Sequence, residues 1–395
     1  MRATLACLFL SGAVLLSGCF SRDLRIGVAV PLSGPNAKTG RDILNGVMLA
    51  AEDWNQKGGV DGRKVVVFPE DDRSTPEQGQ AAARRLIEQK VIGVIGHYNS
   101  AVSLATADLY EQAQILMISP GTTAPKLTDS GRKWVFRTIG RDDQQARTAV
   151  EYVARNGFRR IVVLDNGGVY GQGIAQEFTR QAGFFKLNIL LKETLPPADA
   201  QSTLMQRLRN LQPQLIFYGG EHSEAATLAR DLKQHGIFAP LMGGDALFDN
   251  EFVRLTGKEY AAGALMTFAD LDLTPTFRST YKRKFGEVGP LSGYAYDAAT
   301  ILLEAINQAD STKRDKVRGA VAQTRNFKGV TGTLSFNGKG DVRNPVFEVW
   351  QVDANGTLIL APERAPKGGK AGARLALSAR IPTPKPKPSA SPQTK

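Results

Sequence analysis

Between Leu24 and Phe268 the sequence alternates short, β-branched apolar runs with segments of helical period, and it does so in two successive series. Leu24-Arg-Ile-Gly-Val-Ala-Val30, Lys64-Val-Val-Val-Phe68, Val91-Ile-Gly-Val-Ile-Gly96 and Ile115-Leu-Met-Ile118 read as strands of the first series. Runs this apolar suit strands covered on both faces, the situation of a parallel sheet flanked by helices. Ile43, Val47, Ala50, Ala51 and Trp54 recur on one helical face between the first two strands. Thr75-Pro76-Glu77-Gln78 predicts a helix start, with Thr as cap, Pro at the first helical position and Gln third after the cap. The series restarts with Arg160-Ile-Val-Val-Leu164, Ile189-Leu-Leu191, Leu215-Ile-Phe-Tyr218 and Ala264-Leu-Met-Thr-Phe268. The expected class is therefore α/β, with two Rossmann-like lobes on parallel central sheets. Beyond Leu271 the pattern turns helical, over 276–285 and 294–309. The turn-rich segment from Gly329 to Gly338 then follows, and these late parts are expected to complete the earlier lobes.

The two ends differ from this body. Arg2, an almost wholly apolar run from Leu5 to Leu16 and then Leu16-Ser-Gly-Cys19 have the layout of a secretory signal. The run is short of the roughly 20 residues that span a bilayer. Leu-Ser-Gly-Cys at this distance from the start resembles the lipobox of bacterial lipoproteins. The resemblance implies cleavage of residues 1–18, lipid on Cys19 with 19–23 as anchor and linker, and a cell-envelope location facing away from the cytoplasm. An ordinary signal with an incidental cysteine is the alternative. The only other cysteine is Cys7, so the body has no thiol for a disulfide, a nucleophile or a metal site.

At the far end, Arg364 to Lys395 holds eight Lys or Arg, six Pro and no acid. Such a segment has too little apolar surface for a core and favours an extended, solvated chain, so 363–395 is expected to be a disordered basic tail. It serves as a spacer, or draws the protein to an anionic surface. Setting aside the tail and Arg2 lowers the formal charge from +12 to +3. An exported, nearly neutral body does not suggest a nucleic-acid partner. The residues between the ends amount to two domains of ordinary size.

No catalytic constellation stands out. His97, His222 and His235 lack metal-ligand spacing, there is no Gly-x-Ser-x-Gly elbow, and Gly171-Gln-Gly173 does not extend to a dinucleotide fingerprint. No enzyme activity, metal or cofactor is expected. Asp71-Asp72, between a strand and a capped helix, reads as loop and capping chemistry rather than a catalytic pair. What remains are polar loops at the carboxyl ends of strands, where open α/β sheets bind ligands. These are Gly96-His-Tyr98-Asn99-Ser100, Ser119-Pro-Gly121-Thr-Thr123, Asn166-Gly-Gly-Val-Tyr170-Gly-Gln-Gly173, Gly219-Gly-Glu221-His222 and Gly243-Gly-Asp245. Glycines admit close approach of a ligand, and helix-start N–H groups with Ser and Thr hydroxyls suit a carboxylate. Each loop alone also reads as an ordinary turn and helix cap.

Several of these segments together resemble the leucine/isoleucine/valine-binding protein family, type I periplasmic binding proteins that serve ABC importers. The carriers are Pro31-Leu-Ser-Gly-Pro35, Gly58-Gly-Val-Asp-Gly62, Val94-Ile-Gly-His97, Ile115-Leu-Met-Ile-Ser-Pro120, Thr123-Ala-Pro-Lys-Leu-Thr128, Tyr170-Gly-Gln-Gly173 and Phe217-Tyr-Gly-Gly220. The resemblance covers roughly residues 24–360. It implies a three-strand hinge, with crossings near 138–141, 268–271 and 343–345. Lobe 1 then comprises 24–139 and 271–343, and lobe 2 comprises 140–270 and 344–362. It further implies a monomer that closes on an amino-acid-like ligand and delivers it to an ABC permease. A ligand-sensing or scaffolding envelope lipoprotein without transport is the second reading.

The resemblance also carries over residues. Ser100 matches the serine that holds the ligand carboxylate, and Thr123 the threonine beside it. Gly121 replaces an alanine that gives backbone contacts. Tyr170 matches the tyrosine that closes over the head group, and Asp245 a glutamate that pairs with the ammonium. Some members have a disulfide between the two loops that here hold Ser74 and Asn99, and both partners are absent together. Thr39 replaces an aromatic residue near the ligand, Tyr98 an aliphatic wall and Glu221 a tyrosine. The head-group clamp is thus kept while the side-chain pocket is rewritten, which points to a polar or cationic amino acid or an amide, with Glu221 as discriminator.

Overall fold

The computed structural model describes residues 23–197, 201–269 and 273–363. In the first lobe the chain runs β1 (Leu24–Val30), α1 (Ala37–Gln56), β2 (Val65–Asp71), α2 (Pro76–Glu88), β3 (Gly93–Gly96), α3 (Ser100–Ala113), β4 (Leu116–Ser119), α4 (Lys126–Asp129) and β5 (Val135–Arg137). It continues in the second with α5 (Asp142–Arg155), β6 (Arg160–Asp165), α6 (Val169–Phe184), β7 (Asn188–Thr194), α7 (Gln201–Leu211), β8 (Leu215–Gly219), α8 (His222–Gln234), β9 (Leu241–Gly243), α9 (Asn250–Thr256), α10 (Lys258–Ala261) and β10 (Leu265–Ala269). The last part comprises α11 (Pro275–Phe285), α12 (Ser292–Ala309), α13 (Arg314–Ala322), β11 (Phe327–Gly329), β12 (Gly332–Leu334), β13 (Phe347–Val352) and β14 (Leu358–Leu360).

Two sheets organise these elements. One has the order β2-β1-β3-β4-β5, all parallel. The other has the order β14-β13-β10-β9-β8-β6-β7, parallel except where β13 pairs antiparallel with β10 and β14. Burial follows position. The central β3, β4 and β8 are buried at every residue, whereas the edge strands β2 and β7 are mostly half-buried. This is the double-faced coverage that continuous apolar runs demand. The helix at Thr75 starts as its sequence predicts, with the Thr75 side chain accepting from the Gln78 N–H at 3.3 Å and Pro76 following it. The turn-rich stretch after Phe327 forms a small hairpin, β11–β12, rather than turns alone.

The chain passes between the sheets three times: after β5, after β10 and before β13. Helices α11 and α12 pack back on α1. At the first passage lies Arg137, whose guanidinium is fully buried. Its Nε is 2.9 Å from Asp341 Oδ1. Its terminal nitrogens donate to the Thr122 carbonyl at 2.8 Å, the Ala124 carbonyl at 2.9 Å and Thr128 Oγ1 at 2.9 Å. Arg141 donates to the other oxygen of Asp341 at 3.1 Å. One buried carboxylate therefore ties the first passage to the segment leading into the third.

Asp341→Ala leaves the Arg137 charge buried without its ion partner, which is expected to cost about 3–5 kcal/mol of stability in urea unfolding. Arg137→Met combined with Asp341→Leu is expected to cost less than Asp341→Ala alone. A single-variant cost below ~1 kcal/mol contradicts this assignment.

Candidate functional site

The loops at the carboxyl ends of the two sheets meet. From the first lobe, β3 leads into Tyr98, Asn99 and then Ser100, the first residue of α3. Asn99 occupies the cap position of α3 but its side chain makes no cap bond, so no side chain competes for the first-turn N–H groups there. The loop is held from beneath. His97 is fully buried, with Nδ1 2.7 Å from Asp72 Oδ2 and Nε2 3.2 Å from Tyr110 Oη. Its carbonyl accepts from Ser119 Oγ at 2.7 Å, and the Tyr98 carbonyl accepts from Thr122 Oγ1 at 3.1 Å. Of the pair Asp71-Asp72, Asp71 does the expected loop work, accepting from the Leu32 N–H and Ser33 Oγ. Asp72 does loop work too, its Oδ1 accepting from the Ser74 N–H at 3.0 Å, while its Oδ2 anchors His97.

From the second lobe, α6 presses onto the end of β8. A Cβ on Gly171 would lie 2.5 Å from the Gly219 carbonyl oxygen, and one on Gly219 would lie 2.1 Å from that of Gly171. Two glycines thus set the position of neighbouring Tyr170, whose hydroxyl donates to Asp245 Oδ1 at 2.8 Å. Gln145 on α5 fixes Asp245 from the other side. Its Nε2 donates to Asp245 Oδ1 at 2.8 Å and to Asp142 Oδ1 at 3.2 Å, and its Oε1 accepts from the Asp245 N–H at 3.1 Å.

Tyr98, Asn99, Ser100 and Gly121 line one face of a single cavity, and Tyr170, Glu221, Asp245 and Ala246 line the other. The lobes touch across it: Tyr98 Oη donates to Glu221 Oε2 and Asn99 Nδ2 to Glu221 Oε1, both at 3.1 Å. At the rim Lys38 reaches Asp42 at 3.0 Å and Asp249 at 3.4 Å. Seven of the residues expected at the site are thus brought together. Thr123 lies behind the lining and is 1% exposed; its hydroxyl makes no directed hydrogen bond but is close enough to ease the Asp142 carboxyl. Thr39 is buried on α1 and is not among the lining residues. Cys19, the signal and the basic tail lie outside the described residues. Asp142, Gln145 and Arg137 escaped the sequence reading; the one signal for Asp142 and Gln145 is the polar stretch Thr138-Ile-Gly-Arg-Asp-Asp-Gln-Gln145 directly after a strand.

The site is acidic and poorly solvated. Burial pushes the Glu221 carboxyl up to about 7, although the Tyr98 and Asn99 hydrogen bonds draw it partway back. Burial, with the nearby Asp245 charge, pushes Asp142 up to about 8. Asp245 is raised by burial and restrained by Gln145 and Tyr170. None of the lining residues is Lys or Arg. Such a cavity favours a ligand that brings positive charge to the carboxylates. Among the described residues no group of His, Cys, Asp and Glu has a metal-binding arrangement. A larger hollow of about 1140 Å³ lies around Phe158, Pro213 and Phe238, but at the amino ends of β6, β8 and β9, away from these converging groups.

Residues 23–357 match the family model described as periplasmic binding protein. The Leu/Ile/Val-binding protein homolog 1 of Brucella abortus is 32% identical over 360 residues, covering 88% of this chain and 95% of that one. An amino acid binding protein of Pseudomonas aeruginosa is 31% identical over 369 residues, covering 91% and 98%. Among solved structures, a leucine binding protein, LivK, of Thermotoga maritima superposes with a TM-score of 0.79 at 28% identity, covering 87% of this chain and 99% of that one.

The raised Glu221 carboxyl has a measurable consequence. The folded protein keeps this proton to about pH 7, while the unfolded chain releases it near the ordinary value of 4.5. The stability linked to this group is therefore full below about pH 4.5 and is lost as pH rises through about 7. Between about pH 5 and 8, Glu221→Gln is expected to gain about 2 kcal/mol on the unsubstituted protein in urea unfolding, after allowance for partial solvent access. Parallel pH profiles for the two proteins contradict the shift.

Proposed function

This chain belongs to the periplasmic binding protein family, in its leucine/isoleucine/valine-binding branch, and on that premise we propose that it captures a free amino acid between its lobes for delivery to an ABC permease. The family consists of extracytoplasmic, substrate-binding proteins rather than enzymes. The observation that carries the ligand class is the pairing, across one cavity, of Ser100 at the start of α3 with Asp245 and Tyr170. In this reading the ligand carboxylate sits on the first-turn N–H groups of α3 and the Ser100 and Thr123 hydroxyls, with Gly121 offering its backbone. The ammonium meets Asp245, steadied by Tyr170. Tyr98, Asn99 and Glu221 face the side chain and favour one that ends in a hydrogen-bond donor; Thr39 is assigned the cavity's outer margin. Lobe 1 (24–139 and 271–343) turns against lobe 2 (140–270 and 344–362) about the three passages, and a ligand touching both favours the closed arrangement.

The protein acts as a monomer, held at the membrane by lipid on Cys19. Among the described residues no helix is long and apolar enough to cross a membrane. Cys19→Ala is expected to move the protein from the membrane pellet to the soluble envelope extract; retention in the pellet contradicts the anchor.

A thermal-shift screen against leucine, glutamine, arginine and asparagine tests the ligand class, since a ligand at about a hundred times its Kd adds about 2.7 kcal/mol of stability. Donor-ended side chains are expected to stabilise more than leucine, and Glu221→Gln to narrow that gap. Asp245→Asn is expected to weaken binding at least about thirtyfold by calorimetry, the loss of a desolvated charge partner. Tight leucine binding that ignores Glu221→Gln sinks the donor-ended reading.

A further inference from the structure

The side-chain end of the cavity is shaped by a pair of residues that the head-group reading does not use together. The ring of Tyr98 rests on Gly121. A Cβ placed on Gly121 would come within 2.8 Å of Tyr98 Cδ2 and 3.2 Å of Leu291 Cδ1. Gly121 does not have a positive φ, so its backbone does not demand glycine; the ring above it does.

Tyr98 is fixed at its root as well. Its carbonyl is bound by Thr122 Oγ1, and His97 before it is held between Asp72 and Tyr110. At its tip the hydroxyl reaches Glu221. A ring held at root, face and tip spans the cavity from Gly121 to Glu221. It is 8% exposed and lines the same cavity as Ser100 and Asp245, so a ligand side chain reaching from the head-group end toward Glu221 would run against it.

The far end of that volume is polar. Glu221 offers its carboxylate, and Asn99 Oδ1 is buried with no hydrogen-bond partner. Both are acceptors. Apart from the tyrosine rings, Ala246 is the only apolar side chain among the lining residues. A branched aliphatic side chain would set its methyl groups against both, leaving Asn99 Oδ1 without a donor and the Glu221 carboxylate with no positive charge to meet it.

We infer that Tyr98, seated on Gly121, sets the depth of the side-chain subsite, so that the protein selects α-amino acids whose side chain is short and ends in a nitrogen donor, of asparagine or 2,3-diaminopropionate size. This rests on the head-group assignment above and narrows it by length, excluding arginine along with leucine.

Calorimetry on the full chain with asparagine, 2,3-diaminopropionate, arginine and leucine tests the inference. The two short ligands are expected to bind at least about tenfold more tightly than the other two. Tyr98→Leu is expected to reverse the order of leucine and asparagine. Gly121→Ala is expected to lower both asparagine affinity and Tm in the otherwise unchanged protein, and neither in the Tyr98→Leu background, where the ring is gone. Equal binding of leucine and asparagine, or a Gly121→Ala effect equal in both backgrounds, overturns the inference while leaving the head-group assignment standing. Binding of no α-amino acid by any of these proteins overturns both.

Discussion

The interaction on which the rest of the structure depends is the buried ion pair of Arg137 and Asp341. A guanidinium taken wholly out of water costs several kcal/mol unless its charge and its donors are all met. Here Asp341 meets the charge, and the Thr122 and Ala124 carbonyls with Thr128 Oγ1 meet donors on both terminal nitrogens. Those two carbonyls flank Thr123, so the charge that stabilises the passage between lobes also fixes the loop beside the cavity. Asp341 reaches Arg141 with its second oxygen and thereby ties a segment two hundred residues later to the start of α5. The site's geometry is inherited from this junction: α5 begins at Asp142, whose N–H donates to the Thr123 carbonyl at 3.0 Å, and one turn later it presents Gln145 to Asp245.

The sequence made legible what local physics writes into it. Strands β1, β3, β4, β6 and β8 announce themselves because a parallel sheet buries both faces and so demands unbroken apolar runs. The five polar loops stand out because a strand ending in Gly, Ser, Thr or Asn is distinct from what precedes it. The three-residue strands β5 and β9 are too short to carry a pattern of their own. Strand β13 lies at the turn-rich end of the chain, and pairs antiparallel with β10, some 80 residues earlier, a partnership without a local mark.

The same distinction holds within the site. Ser100, Tyr170 and Asp245 are visible as loop residues, and the family likeness singles them out. Gln145 is not, because its role is defined by a partner 100 residues away, and a Gln on a helix looks like any solvated Gln. Asp71 and Asp72, one dipeptide in sequence, both serve the loop, but Asp72 becomes a buried anchor for His97 only when the loop from β3 folds over it. Gly121 reads as a conservative exchange until the Tyr98 ring is seen resting on it.

The distribution of charge in the cavity suits the proposed closure on a ligand. The cavity lining carries Glu221 and Asp245 and no basic side chain, so its anionic groups have only neutral donors as partners. Were a lysine or arginine to hold the ligand carboxylate from the first lobe, it would face those acids across the cleft. The protein would then supply its own closing force, and a ligand would add little difference between open and closed arrangements. In the proposed head-group arrangement neutral donors avoid this: the α3 terminus and the Ser100 hydroxyl take the carboxylate without neutralising Glu221 or Asp245. Arg141 pairs with Asp129 and Asp341 at the first passage, away from the cavity lining, and the pair of Lys38 with Asp249 lies at the rim with Lys38 one-third exposed, where solvent leaves it little strength. Glu221 is bridged inside by Tyr98 and Asn99, neutral donors that a cationic group can outcompete. On the proposed reading, closure depends on a positive charge that the ligand, and not the protein, brings into the cleft.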